Sequence, residues 1–160
     1  MPVPRWSNIV ALSVTGSRKR SMRRGAAPVA ARAPRGRQGF VNARVLVVED
    51  DAANRETLCA LLEQMGHFPV AAPRGEDAID VLDAGTVIDV IISDVVMPGI
   101  SGIEFTRQAR ERRPNVPVVL VTGDSDAMES VLANGAVALL KPYSAATLER
   151  VIADALAARR

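Results

Sequence analysis

Residues Asp89 to Gly102 read DVIISDVVMPGISG, an apolar run that stops at a carboxylate and then turns sharply. Val90, Ile91 and Ile92 have the continuous apolar character of a strand buried on both faces, and Pro98, Gly99 and Gly102 forbid its continuation. Asp94 therefore falls at the C-terminal end of a strand. In an open parallel α/β sheet ligands bind along that edge, so an acid there is a candidate for chemistry. An acid that merely caps a βα loop is the competing reading, and this stretch alone does not separate the two.

Working outward, apolar strands alternate with helical patterns from Arg44 onward, which predicts a doubly wound α/β layer structure. The first strand is Arg44 to Val48. Its helix runs from about Ala52 to Met65, with Leu58, Leu61, Leu62 and Met65 on one face and Gly66 as the stop. Phe68 to Ala72 is a weak second strand, and Pro69, which cannot donate a ladder hydrogen bond, puts it at the sheet edge. A short helix from about Gly75 to Asp83 leads into the central strand, which ends near Ser93. The third helix, about Gly102 to Arg112, finishes in Arg107, Arg110, Arg112 and Arg113, read as a solvated face whose cations suit the helix dipole. Val116 to Val121 is the fourth strand. The segment from about Asp126 to Asn134, with Met128, Val131 and Leu132, is a helix of marginal length. Val137 to Leu140 forms the fifth strand, and Ser144 caps a last helix to about Ala158 striped by Leu148, Val151, Ile152, Ala155 and Leu156.

At 160 residues the chain holds one domain with a real core. Although 48% of it is apolar, no apolar run approaches the roughly 20 residues of a membrane span. Cys59 is the single cysteine, so no intrachain disulfide forms and nothing requires an oxidising compartment. His67 is read as an ordinary surface or boundary histidine. The net charge of +2 conceals a division: residues 1–40 hold nine Lys or Arg and no acid, while residues 41–160 hold eleven basic and eighteen acidic side chains, a net of −7. The basic segment, rich in Ala, Gly, Pro and Ser, is expected to be a disordered extension. Its arginines follow its one apolar patch, Ile9 to Val14, which is the wrong order for a secretory signal. Charge alone would let it bind nucleic acid or anionic lipid, and the plainer expectation is a flexible extension whose translation start is Met22 or near Val41.

If the strands release the chain at one edge, side chains distant in sequence converge there. Glu49, Asp50 and Asp51 follow the first strand, Asp94 the third, Thr122 the fourth and Lys141 the fifth. Carboxylates gathered in one crevice repel one another unless a cation joins them. With no His or Cys nearby to suit zinc, a hard divalent ion such as magnesium is the natural remedy. The Thr122 hydroxyl and the Lys141 ammonium complete a set suited to stabilising phosphoryl oxygens. Each residue has a plainer role open to it: Glu49 or Asp51 as a cap of the first helix, Thr122 bonded to its own loop, Lys141 as a surface charge.

These residues resemble the receiver domain of two-component response regulators. VLVVEDD carries the acidic pair Glu49 and Asp50, DVIISDVVMPGISG the acceptor strand and the Met97–Pro98–Gly99 turn, VTGD the hydroxyl residue Thr122, and LLKPY the lysine Lys141 before a proline whose peptide bond is cis in that family. The resemblance covers about residues 43 to 158. It implies a CheY-like five-stranded parallel sheet in the flavodoxin-like order 2-1-3-4-5, with helices on both faces. It also implies that Asp94 accepts a phosphoryl group from a histidine kinase or a histidine phosphotransfer protein. Magnesium would be held by Asp50 and Asp94, by Glu49 through water, and by the backbone carbonyl of Val96, with Asp51 flanking. A cytoplasmic, monomeric, single-domain regulator is expected, neither an enzyme nor a DNA binder, because no output module follows Ala158. A pseudo-receiver that only binds a partner, or a relay or phosphate sink, are the alternatives. There is no phosphate-binding loop ending in Gly-Lys-Ser or Gly-Lys-Thr and no Gly-x-Gly-x-x-Gly. Phosphatases that use an aspartyl phosphate carry Asp-x-Asp on the first strand, whereas the acidic pair here is adjacent. Ala138 stands where most receivers carry an aromatic residue, and the stretch from Thr122 to Lys141 is about one helical turn short. Both features, with Lys141–Pro142–Tyr143, resemble a subfamily whose fourth helix is replaced by a mobile segment.

Overall fold

The structure, a computed structural model, describes residues 42–133 and 136–159; the basic extension lies outside them, as do Asn134 and Gly135 of the short fourth-helix segment. Five strands, β1 (Arg44–Val48), β2 (Phe68–Ala72), β3 (Val90–Asp94), β4 (Val118–Thr122) and β5 (Val137–Leu140), form one sheet in the order β2-β1-β3-β4-β5. All four pairings are parallel. Each of the first four strands is therefore followed by a crossover, supplied by α1 (Ala52–Gln64), α2 (Gly75–Asp83), α3 (Gly102–Arg112) and α4 (Ser125–Ala133), while α5 (Ala145–Ala157) follows β5. This is the doubly wound sheet expected from the alternation of patterns, in the flavodoxin-like order that the resemblance implies.

Because side chains alternate along a strand, each central strand feeds two cores. Leu46, Val48, Ile91, Val118 and Leu120 face α2, α3 and α4. Val45, Val47, Val90, Ile92, Val119 and Val121 face α1 and α5. A strand buried on both sides needs apolar residues throughout, which is why these runs show no polar alternation. β2, with Pro69, lies at one edge as expected. Asp51 caps α1 by accepting from Asn54 N, Ser101 caps α3 through Glu104 N and Ser144 caps α5 through Thr147 N.

Several details differ from the sequence expectations. His67 is buried rather than at the surface: its ring fills the corner between the end of α1 and the start of β1, where Nδ1 accepts from Ala43 N at 3.3 Å. Burial pushes its pKa below the usual histidine value. The fourth strand begins at Val118 rather than Val116. In α4, Met128 and Val131 are buried, whereas Leu132 points outward. The basic end of α3 is only partly a solvated face. Arg107 bridges Glu104 and Glu111, Arg112 pairs with Asp83 at 2.8 Å and Arg113 donates to Leu82 O, while Arg110 is half-buried and its pKa is lowered by desolvation. Among the described residues no helix is long and apolar enough to cross a membrane.

Candidate phosphoacceptor site

The C-terminal ends of β1, β3, β4 and β5 meet at one edge, and hydrogen bonds fix each end. Val95 N donates to Val121 O at 3.0 Å and Lys141 N to Thr122 O at 2.7 Å, so the chain stays in register for one residue past each strand. Glu49, the first residue after β1, is buried; Asp50 is exposed, and Asp94, the last residue of β3, is half-buried. Carboxylate oxygens from these three lie within 4.8 Å of one another. Lys141 reaches in from the end of β5, with Nζ 3.0 Å from Asp94 Oδ2 and 3.2 Å from Glu49 Oε2. The five sequence candidates are thus placed as follows: Glu49, Asp50, Asp94 and Lys141 are in one cluster, and Thr122 is buried at the end of the adjoining strand, where Val121 is the register partner of Asp94.

Burial of Glu49 raises its carboxyl pKa above the ordinary value, against the lowering effect of bonds from Asp51 N–H and Lys141; the charge of Asp94 adds to the rise. For Lys141, burial pulls the pKa down, but hydrogen bonds and charge from Asp94 and then Glu49 outweigh it, and the net direction is up. The ammonium is therefore locked on as the internal cation of an acidic pocket. An all-oxygen donor set of clustered carboxylates, with no imidazole or thiolate, fits magnesium and not zinc.

The plainer roles hold for two residues. Asp51 is the α1 cap and takes no part in the cluster. Thr122 Oγ1 accepts from Asp124 N at 3.1 Å, its own loop, although its burial beside Asp94's neighbour on β4 leaves it at the site edge. Val96 is exposed, and its N–H donates to Asp94 Oδ1 at 3.3 Å, which curls the chain after Asp94. The Lys141–Pro142 bond is cis, as the resemblance implies.

Two supporting residues were missed from sequence. Arg55, one turn into α1, donates through Nη1 to Glu49 O at 2.8 Å and Asp50 O at 3.3 Å, holding the backbone of the acidic pair. Glu76 in α2 accepts from Ile100 N at 3.2 Å. The only signal for Arg55 was a cation soon after an acidic turn; Glu76 gave none, since its partner is 24 residues away.

Fold and site define a phosphoacceptor-type receiver, and the comparisons place it. Residues 45–153 match the response regulator receiver domain, and the chain belongs to that family. It is 33% identical over 120 residues to the protein PilH of Pseudomonas aeruginosa, covering 72% of this chain and 98% of PilH. It is 41% identical over 114 residues to the response regulator FleR of the same organism, covering 69% of this chain and 24% of FleR. The chain spans half or less of the length of FleR and of the next curated regulators it matches. Among solved structures, TrrA of Thermotoga maritima, determined in complex with Mg2+ and BeF, aligns at a TM-score of 0.65 and 29% identity, covering 71% of this chain and 99% of TrrA.

Proposed function

We propose that Asp94 accepts a phosphoryl group from a phosphohistidine on a histidine kinase or a histidine phosphotransfer protein, and that the chain signals by altered docking to a partner. The observation that carries this reading is Lys141 Nζ, held 3.0 Å from Asp94 and 3.2 Å from Glu49 inside a three-carboxylate cluster. In the transfer, an Asp94 oxygen attacks phosphorus, the P–N bond breaks with its electrons returning to the imidazole, and an acyl phosphate remains. Asp50, Asp94 and the Val96 carbonyl would hold magnesium directly and Glu49 through water; the ion supplies charge neutralisation of the phosphoryl oxygens. Lys141 and Thr122 then bond to phosphoryl oxygens, Thr122 after leaving Asp124 N. The chain in this role is a phosphoacceptor that assists its own phosphorylation, and the receiver is residues 43–158 behind the basic extension 1–40.

Incubation with acetyl phosphate and Mg2+ should add one phosphoryl group by intact mass, absent in Asp94→Ala. Deleting residues 1–40 should leave the labelling unchanged. Labelling of the Asp94→Ala protein would refute the assignment, and no labelling of the parent by any donor would favour a pseudo-receiver. The finer reading extends to the subfamily with a reduced fourth helix. It is supported by the nine-residue α4 with only Met128 and Val131 buried, by Ala138 in β5 and by Tyr143 packed after Lys141–Pro142. On this reading, phosphorylation orders residues 123–136 around Thr122. Hydrogen exchange should show weak protection there, rising with Mg2+ and a phosphoryl mimic.

A further inference from the structure

The loop from Val95 to Ser101 carries the backbone carbonyl that the proposed site lends to magnesium. Its inner side is fixed by its own chain: Val96 N–H donates to Asp94, and Gly102 N–H to Val95 O at 2.9 Å. Its outer side meets a different element, the first turn of α2. There Glu76 Oε1 accepts from Ile100 N at 3.2 Å, and the same carboxylate lies over Gly99, where a Cβ would come within 2.5 Å of it. Gly99 has φ +80°, so the turn both requires glycine and leaves the space the carboxylate fills. One residue earlier, Gly75 backs onto Ile100, whose Cγ1 lies 2.5 Å from where a Cβ would be. The start of α2 is thus fitted to this turn at two consecutive positions.

We infer that Glu76 is a positioning residue for the phosphoacceptor loop: its carboxylate clasps the Gly99–Ile100 turn and so holds the Val96 carbonyl ready for the cation. This rests on the function proposed above. A loop already ordered binds its ion without the entropy of being ordered at that moment. Glu76 also lies in the first turn of α2, where any acid helps by opposing the helix dipole. The two roles demand different chemistry. The clasp needs an acceptor at glutamate length and no charge, so glutamine serves and aspartate, a methylene shorter, does not. The dipole needs charge and tolerates aspartate.

The test uses the full chain and three variants, Glu76→Gln, Glu76→Asp and Glu76→Ala. Mg2+ affinity is measured by titrating backbone amide resonances of the unphosphorylated protein with MgCl2, and the exchange rate of the Ile100 amide is measured without metal. Glu76→Ala and Glu76→Asp should weaken Mg2+ binding about three- to tenfold, the equivalent of one hydrogen bond, and expose the Ile100 amide. Glu76→Gln should match the parent in both. Aspartate behaving as the parent while glutamine behaves as alanine would overturn the clasp in favour of the dipole. Unchanged Mg2+ affinity in Glu76→Ala, with a parent that binds Mg2+ and is labelled at Asp94, would overturn this inference alone. A parent that binds no Mg2+ would overturn it together with the proposed site.

Discussion

Replacing Gly102 by alanine should destabilise the domain by about 3 kcal/mol, because a Cβ there would lie 2.0 Å from the carbonyl oxygen of Asp94 and 2.9 Å from both Asp94 C and Val95 Cα. All three atoms are backbone, and no side-chain rotation relieves the contact. Either α3 retreats from β3 by more than an ångström, weakening the Gly102 N to Val95 O bond and the packing of Phe105, or the end of β3 shifts. Overpacking costs about 1–3 kcal/mol, and the strained hydrogen bond adds about 1 kcal/mol. Alanine's better helix propensity returns up to about 1 kcal/mol, leaving the net near the top of the overpacking range. Gly123→Ala is the matched control: nothing lies within 4 Å of its Cβ position, so it should be neutral or stabilising by up to about 1 kcal/mol. Urea unfolding followed by circular dichroism gives both values, and a melting temperature lower by about 10 °C should accompany the first. Because the displaced atom belongs to Asp94 itself, acetyl phosphate labelling should slow as well. A Gly102→Ala protein within 0.5 kcal/mol of the parent would refute the reasoning, since the strand end would then be free to yield.

His67 is held below its usual pKa by burial, with Nδ1 accepting from Ala43 N. Its contribution is present above an unfolded pKa of about 6.5 and lost as pH falls toward the depressed folded value, so stability should decline as pH falls below neutral, and His67→Asn should flatten that slope. Asp89 accepts from Arg44 N at 2.8 Å and from Arg159 Nη1 at 2.8 Å, and although burial opposes it these bonds hold its pKa below the usual carboxylate range. Asp89→Ala should cost about 1–2 kcal/mol at neutral pH, and the difference from the parent should vanish as pH falls through the depressed pKa of the folded protein. Val96 is exposed two residues after Asp94, the proposed acceptor, and offers no group to orient a water; phosphoryl decay should be slow to moderate, and slower decay in Val96→Asn would contradict this.

The sheet was readable because burial on two faces leaves a mark in the residues themselves. Ile91 and Ile92 point to opposite cores, and both must be apolar. Pro69 marked an edge for an equally local reason, the missing donor. His67 was misread because its burial depends on Ala43 and the end of α1 closing over it, and a lone histidine between a helix stop and a strand carries no trace of that. The cluster of Glu49, Asp50, Asp94 and Lys141 was legible through topology: parallel strands bring their C-terminal ends together, and each end carried a polar residue. Arg55 and Glu76 escaped because they serve backbone atoms, and a backbone atom has no sequence signature. The intermediate exposure of Arg110 was likewise hidden, since its helical position allowed either face.

The two oxygens of Asp89 also settle how the domain can be joined to other things. One receives the amide of Arg44, two residues after the described chain begins, and the other the guanidinium of Arg159, where it stops. Both ends of the described chain therefore come to Asp89 at the start of β3, a full strand length from Asp94 at its other end. The described chain thus enters β1 and leaves α5 on the rim opposite Asp94. Termini this close also make the domain suitable for insertion within another chain, or for rejoining end to end with new termini cut at Gly85, whose Cβ position is open and whose loop lies far from the acidic cluster.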